Sequence, residues 1–536
     1  MYRMHRRSHA RLAVIGLGAW FAGCGSLPAS KARDAAAEVR DDVAGSGVSA
    51  GPDAPYVSGE AADGGMPESS AGGPLPGETG GPLDSPAGAE VSAPVTDAAA
   101  WDGPPEDLPT VEPPPPEPPP RTPNQTTIVR ALPEPWGANC PRGGVKIETG
   151  FDNDGNGTLD YYEVIQEQYV CNVYPVGVSL GPRHSCALAS SGAVWCWGAD
   201  DLGQLGDSAM RATYAPRPVA GAPAALAVAS GGDFACIILP TRGARCWGKN
   251  DHGQGGHGID APYITPSCVV GPLDAVSLLD VTAIAAGGAH ACAAIADGKV
   301  DCWGANDVGQ LGDGTGVDSN RPVEVLGITD AESVVAGGRH ACALLADKTV
   351  RCWGANAEGQ LGNGTTAESS AVVRVGDAAA PLAGVSALAA GDAFTCALMQ
   401  DATVKCWGAN AGCQLGQPST TGRALLPTLA PATDVKSIAA GAEHACAILN
   451  SGKAVCWGKN DFGQVGARAG ACREEPVELP LTGVLSIAGG GTHSCAVDET
   501  GLWCWGDDSL GQLGIGVAGA DRSTHLPQLA VWHLAP

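Results

Sequence analysis

The chain has 536 residues, rich in glycine (77) and proline (41), with 20 cysteines and only 16% charged residues. That length exceeds a single simple domain, and the turn-forming composition favours a β-rich protein with spacer segments. Lysine and arginine (31) fall far below aspartate and glutamate (57), a formal charge of -26, which repels phosphates and anionic headgroups and argues against nucleic acid binding or a polybasic membrane surface.

Arg3, Arg6, Arg7 and Arg11 precede an apolar run over residues 12–22, the layout of an export signal. A run of about eleven residues is too short to cross a bilayer. It closes in Phe21-Ala22-Gly23-Cys24, which resembles a bacterial lipobox with Phe21 in place of the usual leucine. The resemblance implies a signal peptide over residues 1–23, a diacylated Cys24 as mature N-terminus and, with Gly25 next, anchoring at the outer membrane. The alternative is ordinary signal peptidase cleavage with Cys24 unmodified. Residues 24–127 are Ala, Gly, Pro, Ser, Asp and Glu with few aromatic or β-branched residues, too polar to bury a core. They read as a disordered tether whose EPPPPEPPP segment, residues 112–120, is stiff polyproline II.

Residues 128–173 contain a twelve-residue calcium-loop pattern. Asp152, Asp154, Asn156, Asp160 and Glu163 supply oxygens at positions one, three, five, nine and twelve, Thr158 supplies a carbonyl at seven, and Gly157 stands at the sharp turn. A hard cation such as Ca²⁺ seeks six to eight oxygens, so the pattern predicts a structural ion of roughly 0.1 to 1 mM affinity; the alternative is an acidic turn without metal. Upstream, residues 143–150 are β-branched and glycine-punctuated, unlike an entering helix. Only the exiting side, residues 161–169, suits a helix. The stretch as a whole looks like a small cysteine-flanked module of bacterial envelope proteins, with a Cys140–Cys171 disulfide expected.

From Val178 onward one unit recurs seven times, its first cysteines at Cys186, Cys236, Cys292, Cys342, Cys396, Cys446 and Cys495. The period of 49 to 56 residues fits a four-stranded propeller blade. The unit couples Gly-x-x-His (or Phe), a hairpin, Trp-Gly-x-Asn and Gly-Gln-Leu-Gly, as in Gly337-Gly-Arg-His340, Trp353-Gly-Ala-Asn356 and Gly359-Gln-Leu-Gly362; Trp-Gly recurs in all seven, and Gly-Gln-x-Gly lapses only at Cys413. These residues resemble the regulator of chromosome condensation repeat, which implies an all-β, seven-bladed β-propeller over residues 177–536. The first unit starts at residue 177 and the last ends in residues 526–532, the piece that precedes such a start elsewhere. One blade is therefore expected to mix both termini, pairing edges that would otherwise be exposed.

Two cysteines lie ten apart in six units and nine apart in the seventh, so each pair sits directly opposite across a hairpin, within disulfide range. The expected bonds are Cys186–Cys196, Cys236–Cys246, Cys292–Cys302, Cys342–Cys352, Cys396–Cys406, Cys446–Cys456 and Cys495–Cys504, feasible in an oxidising compartment. Zinc at His340, Cys342 and Cys352 and their counterparts is disfavoured, because Phe234 and Phe394 replace the histidine while both cysteines stay. Of the remaining cysteines, Cys413 and Cys472 in consecutive units are expected to bridge blades, leaving Cys268 as a free thiol or intermolecular link.

No nucleophile elbow, phosphate loop or carboxylate pair stands out in the repeats. Function is therefore expected where the units differ, in the loops after Gly-Gln-Leu-Gly, with Tyr214, Tyr263, Arg321, Arg423 and Arg473 as ligand anchors given interface preferences; the alternative is that these are solvated loops. The leading reading is a non-enzymatic, envelope-anchored binding protein for a protein or other extracellular ligand, as exported bacterial members of the resembled family inhibit β-lactamases. A second is nucleotide exchange on a small GTPase, as eukaryotic members perform, disfavoured by export and disulfides. A third is a propeller-face hydrolase or lyase using loop acids such as Asp207, Asp260, Asp313 and Asp318.

Overall fold

The computed structural model describes residues 126–532 except positions 136, 138, 141, 157, 259–267 and 518–522. The export signal, Cys24, Asp260, Tyr263 and the tether up to residue 125 lie outside the described residues, as does the side chain of Cys268; the last two residues expected of the tether, Thr126 and Thr127, belong to the first strand.

Residues 126–171 form a three-stranded antiparallel sheet, β1 (Thr126–Glu134), β2 (Gly144–Asp152) and β3 (Val164–Cys171), in the order β1-β2-β3. The calcium-pattern loop connects β2 to β3, and Cys140–Cys171 bonds the sheet's end. The exiting helix expected over 161–169 is not there: a single 3-10 turn, Tyr161–Glu163, leads straight into β3. Val164, Ile165 and Val170 are β-branched, and pairing to β2 overrides any helical tendency.

Seven four-stranded antiparallel sheets follow, each built from consecutive strands. Blade 1 comprises β4 (Pro175–Leu180), β5 (His184–Ala189), β6 (Val194–Gly198) and β7 (Thr213–Pro218), and the later blades repeat this from inner to outer strand. The expected blade of mixed termini does not form. Ser523–Leu529, the last strand, pairs with Leu502–Asp507 of its own blade, and β4 pairs with β5. The piece before each repeat start is the outer strand of the preceding blade, so the repeat is already in phase with the blade and strand exchange has no role.

Side-to-side packing closes the ring. Seven apolar clusters lie between neighbouring blades, and each buries one blade's disulfide with the next blade's tryptophan: Cys292 and Cys302 with Trp353, for example, and across the closing seam Cys495 and Cys504 with Trp197. In all seven blades the two cysteines are register partners, with Cα atoms 4.0 to 4.1 Å apart. The Trp-Gly-x-Asn and Gly-Gln-Leu-Gly residues explain themselves here. Each tryptophan Nε1 donates to the backbone carbonyl of the glutamine in the preceding blade, from Trp247 to Gln204 (3.0 Å) round to Trp197 to Gln512 (2.8 Å). The Asn oxygen, or Asp200 and Asp508 in its place, accepts the N–H five residues on and holds the turn.

At the axis the inner strands meet at a ring of glycines, Gly181, Gly231, Gly287, Gly337, Gly391, Gly441 and Gly490. A Cβ on any of them would collide with the carbonyl oxygen of the next glycine in the ring. Only glycine permits this approach of seven backbones.

Candidate functional site

Antiparallel strands in chain order put the turns between first and second strands, and the long loops between third and fourth, on one face of the ring. Arg183 of the first kind of turn and Asp201 of the second are ion-paired there at 3.0 Å. The described residues of the variable loops therefore gather on one face of the ring, the face that carries the axial mouth. The small module meets the opposite face: Arg142 Nη2 donates to the carbonyl of Asp498 (3.0 Å), in a turn between second and third strands, and stacks over Tyr174.

The histidines of the repeat are unavailable on this face. His184, His290, His340, His444 and His493 are fully buried, and burial pushes their imidazoles down to about 4, 4, 3, 4 and 3 respectively. Three of them reach a hydroxyl in the next blade: His340 to Thr395 (2.9 Å), His444 to Ser494 (2.8 Å) and His493 to Ser185 (2.8 Å).

Of the expected anchors, Tyr214, Arg321, Arg423 and Arg473 are described, and each lies in an outer strand. Tyr214 is half-buried against Gly511 of blade 7, its carbonyl accepting the Gly516 N–H, and so belongs to the closing seam. Arg321 donates to the carbonyl of Gly258 (2.7 Å), and Arg423 to that of Ala357 (2.8 Å) with Glu358 at 3.6 Å. Both arginines fasten their blade to the preceding one. Arg473 is exposed in the strand Gly470–Glu478. Just before it, Cys472 bonds Cys413 of the preceding blade.

Sequence reasoning passed over two features of this face. Asp200 takes the place of the turn asparagine and is buried, and burial together with nearby Asp207 raises its carboxyl to about 7. Its signal was legible as Asp where most units carry Asn. The other is the charge around the axial mouth, where Arg183 pairs with Asp233 (2.8 Å), Arg339 with Asp307, and Lys459 with Glu443.

In the small module, ligand oxygens of Asp152, Asp154 and Glu163 all lie within 4.8 Å of one another, with Glu163 buried. Asn156 Nδ2 donates to Asp154 (2.8 Å) and Asp160 (3.3 Å), and Thr158 N donates to Asn156 Oδ1 (2.7 Å). Three converging carboxylates with further oxygens alongside are the donor set a hard divalent cation takes.

Residues 176–204, 226–254, 281–310, 331–360, 385–415, 435–464 and 484–512 match the regulator of chromosome condensation (RCC1) repeat, and a second profile of that repeat matches five segments between 191 and 497. Residues 127–171 match a domain of unknown function (DUF7151). Among solved structures, human WBSCR16 is 21% identical with a TM-score of 0.56, covering 63% of this chain and 94% of its own. Yeast RCC1 (Prp20), in a structure with Kap60 bound, is 21% identical with a TM-score of 0.54, covering 62% and 82%. Prp20p from Saccharomyces cerevisiae, described with its binding properties to Gsp1p and histones, is 22% identical with a TM-score of 0.50, covering 60% and 81%. At these identities the likeness establishes the fold.

Proposed function

The chain belongs to the regulator of chromosome condensation repeat family, and we propose that it is a non-enzymatic binding protein, held at the outer membrane by lipid on Cys24, whose loop face engages a protein ligand. One observation carries this reading. The histidines, tryptophans and glutamines shared by the repeats are buried between blades, whereas residues that differ between units, such as Val317, Arg473 and Val517, are exposed on the loop side. Shared polar residues thus serve the ring, leaving the variable ones for recognition. The docking of the small module on the opposite face supports the same reading, since the module leaves the loop face uncovered.

Calcium held by Asp152, Asp154, Asn156, Thr158, Asp160 and Glu163 would be a structural ion of the module, neutralising carboxylates that otherwise repel one another.

The test is affinity capture from envelope extracts on the full chain and on the triple variant V317S/R473S/V517S. The parent chain is expected to retain a discrete protein that the variant retains at least tenfold less. Equal retention by both would remove the loop face from the account.

A further inference from the structure

The axial channel encloses about 250 Å³ and is lined from all seven blades by glycine, alanine and other small or apolar residues. Its mouth opens at the centre of the loop face, where the residue after each ring glycine turns inward: Pro182, Gly232, Gly288, Gly338, Asp392, Ala442 and Gly491. Blade 5 alone places a charge there, and Asp392 is the only charged side chain lining the channel among the described residues.

The turns between first and second strands around this mouth carry five charged side chains, Arg183, Asp233, Arg339, Asp392 and Glu443. Arg183 and Asp233 pair with each other, Arg339 with Asp307, and Glu443 with Lys459. Among the described residues the Asp392 carboxylate has no hydrogen-bond or ion-pair partner; its backbone is engaged, N–H to the Ala442 carbonyl and carbonyl to the Gly338 N–H. The side chain leans across the mouth towards Gly338, where a Cβ would overlap its Oδ1. It is exposed to the lumen yet walled by neighbouring blades, and this burial, together with the Glu443 charge, holds its carboxyl above the usual range. The channel lining carries this one negative charge, which draws counter-charge into a concave site, and Arg183, Arg339 and Lys459 beside the mouth are already ion-paired.

We propose that the axial mouth is a subsite for a protonated primary amine bound to Asp392; resting on the function proposed above, its occupant is a lysine side chain of the protein ligand. A single carboxylate in a narrow, backbone-lined opening suits a slender monocation with an alkyl stem. It offers too few oxygens for a divalent metal.

Saturation-transfer NMR of n-butylammonium chloride against the full chain tests this, with n-butanol as the uncharged control. Binding of the amine, weakened by salt and reduced at least tenfold in Asp392→Asn but restored in Asp392→Glu, is expected, with no comparable binding of butanol. Equal amine binding by the parent and Asp392→Asn, or none by either, would overturn the proposal. The melting temperature of Asp392→Asn, expected to match the parent, separates loss of the site from loss of fold. If amine binding holds while envelope capture fails, the subsite stands and the protein-ligand reading falls.

Discussion

The tryptophan-to-glutamine bonds turn a recurring sequence signature into an energetic statement that differs from blade to blade. The Gln360 carbonyl accepts from both Trp407 and Thr395 (2.9 and 3.2 Å), whereas Gln310 accepts from Trp353 (2.9 Å) without a hydroxyl from the next blade. Trp353→Phe should therefore strand a buried carbonyl, and should cost about 1 kcal/mol more than Trp407→Phe by denaturant unfolding; the lost ring volume is common to both and cancels. The buried histidines give a pH dependence whose sign is fixed. Their folded values, about 3 to 4, lie below the ordinary 6.5, so the unfolded chain takes up protons first as pH falls. Stability from this source is complete above about 6.5 and declines steadily towards pH 4. His290 has Ala341 at the equivalent position of the next blade, just as Phe234 has Ala291 and Phe394 has Ala445. His290→Phe should accordingly fold and lose less stability between pH 6.5 and 4 than the parent, as followed by melting temperature.

Each hairpin of second and third strands is closed by its own disulfide, and the alanine-rich strands beside it offer modest apolar area. Replacing Cys292 and Cys302 together by alanine should cost about 3 kcal/mol in the chain-entropy account, and removing Cys140–Cys171, which closes a longer loop, roughly 4 kcal/mol from the module. At the start of the outer strand one position repeatedly reaches back to the preceding blade, by Asp318 to His252 (2.7 Å), Arg423 to Ala357, and Cys472 to Cys413. The chemistry changes while the latch persists. For the β2–β3 loop, millimolar calcium should slow amide exchange of residues 152–163 in the parent, and Asp154→Asn should abolish that response; the same exchange with and without calcium in the parent would refute the ion.

For the whole ring, the seven units, their four strands and the paired cysteines were legible in the sequence, because spacing across a hairpin fixes register and period fixes blade count. The phase of closure was not. The counterparts of residues 526–532 precede each later repeat start, and the linear pattern leaves open whether such a strand joins the blade behind or ahead of it; the pairing of Ser523–Leu529 with Leu502–Asp507 decides this. The expectation of anchors at Arg321 and Arg423 rests on their place in variable loops and on residue type, neither of which carries information about a carbonyl 2.7 to 2.8 Å away in another blade. Asp392 escaped notice because its meaning depends on seven turns meeting at one axis. The ring is closed by side packing and the Trp197–Gln512 bond, with no strand exchanged, so that its shared polar residues are structural and its variable face is free to bind. A circular permutant tests it most directly, joining residue 532 to 175 by a short linker and opening the chain between residues 326 and 330, with the module left on the new N-terminus. A cooperative melt within a few degrees of the parent's is expected, since the seam resembles the other six interfaces. Failure to fold, or separate melting of the fragments flanking the new opening, would contradict it.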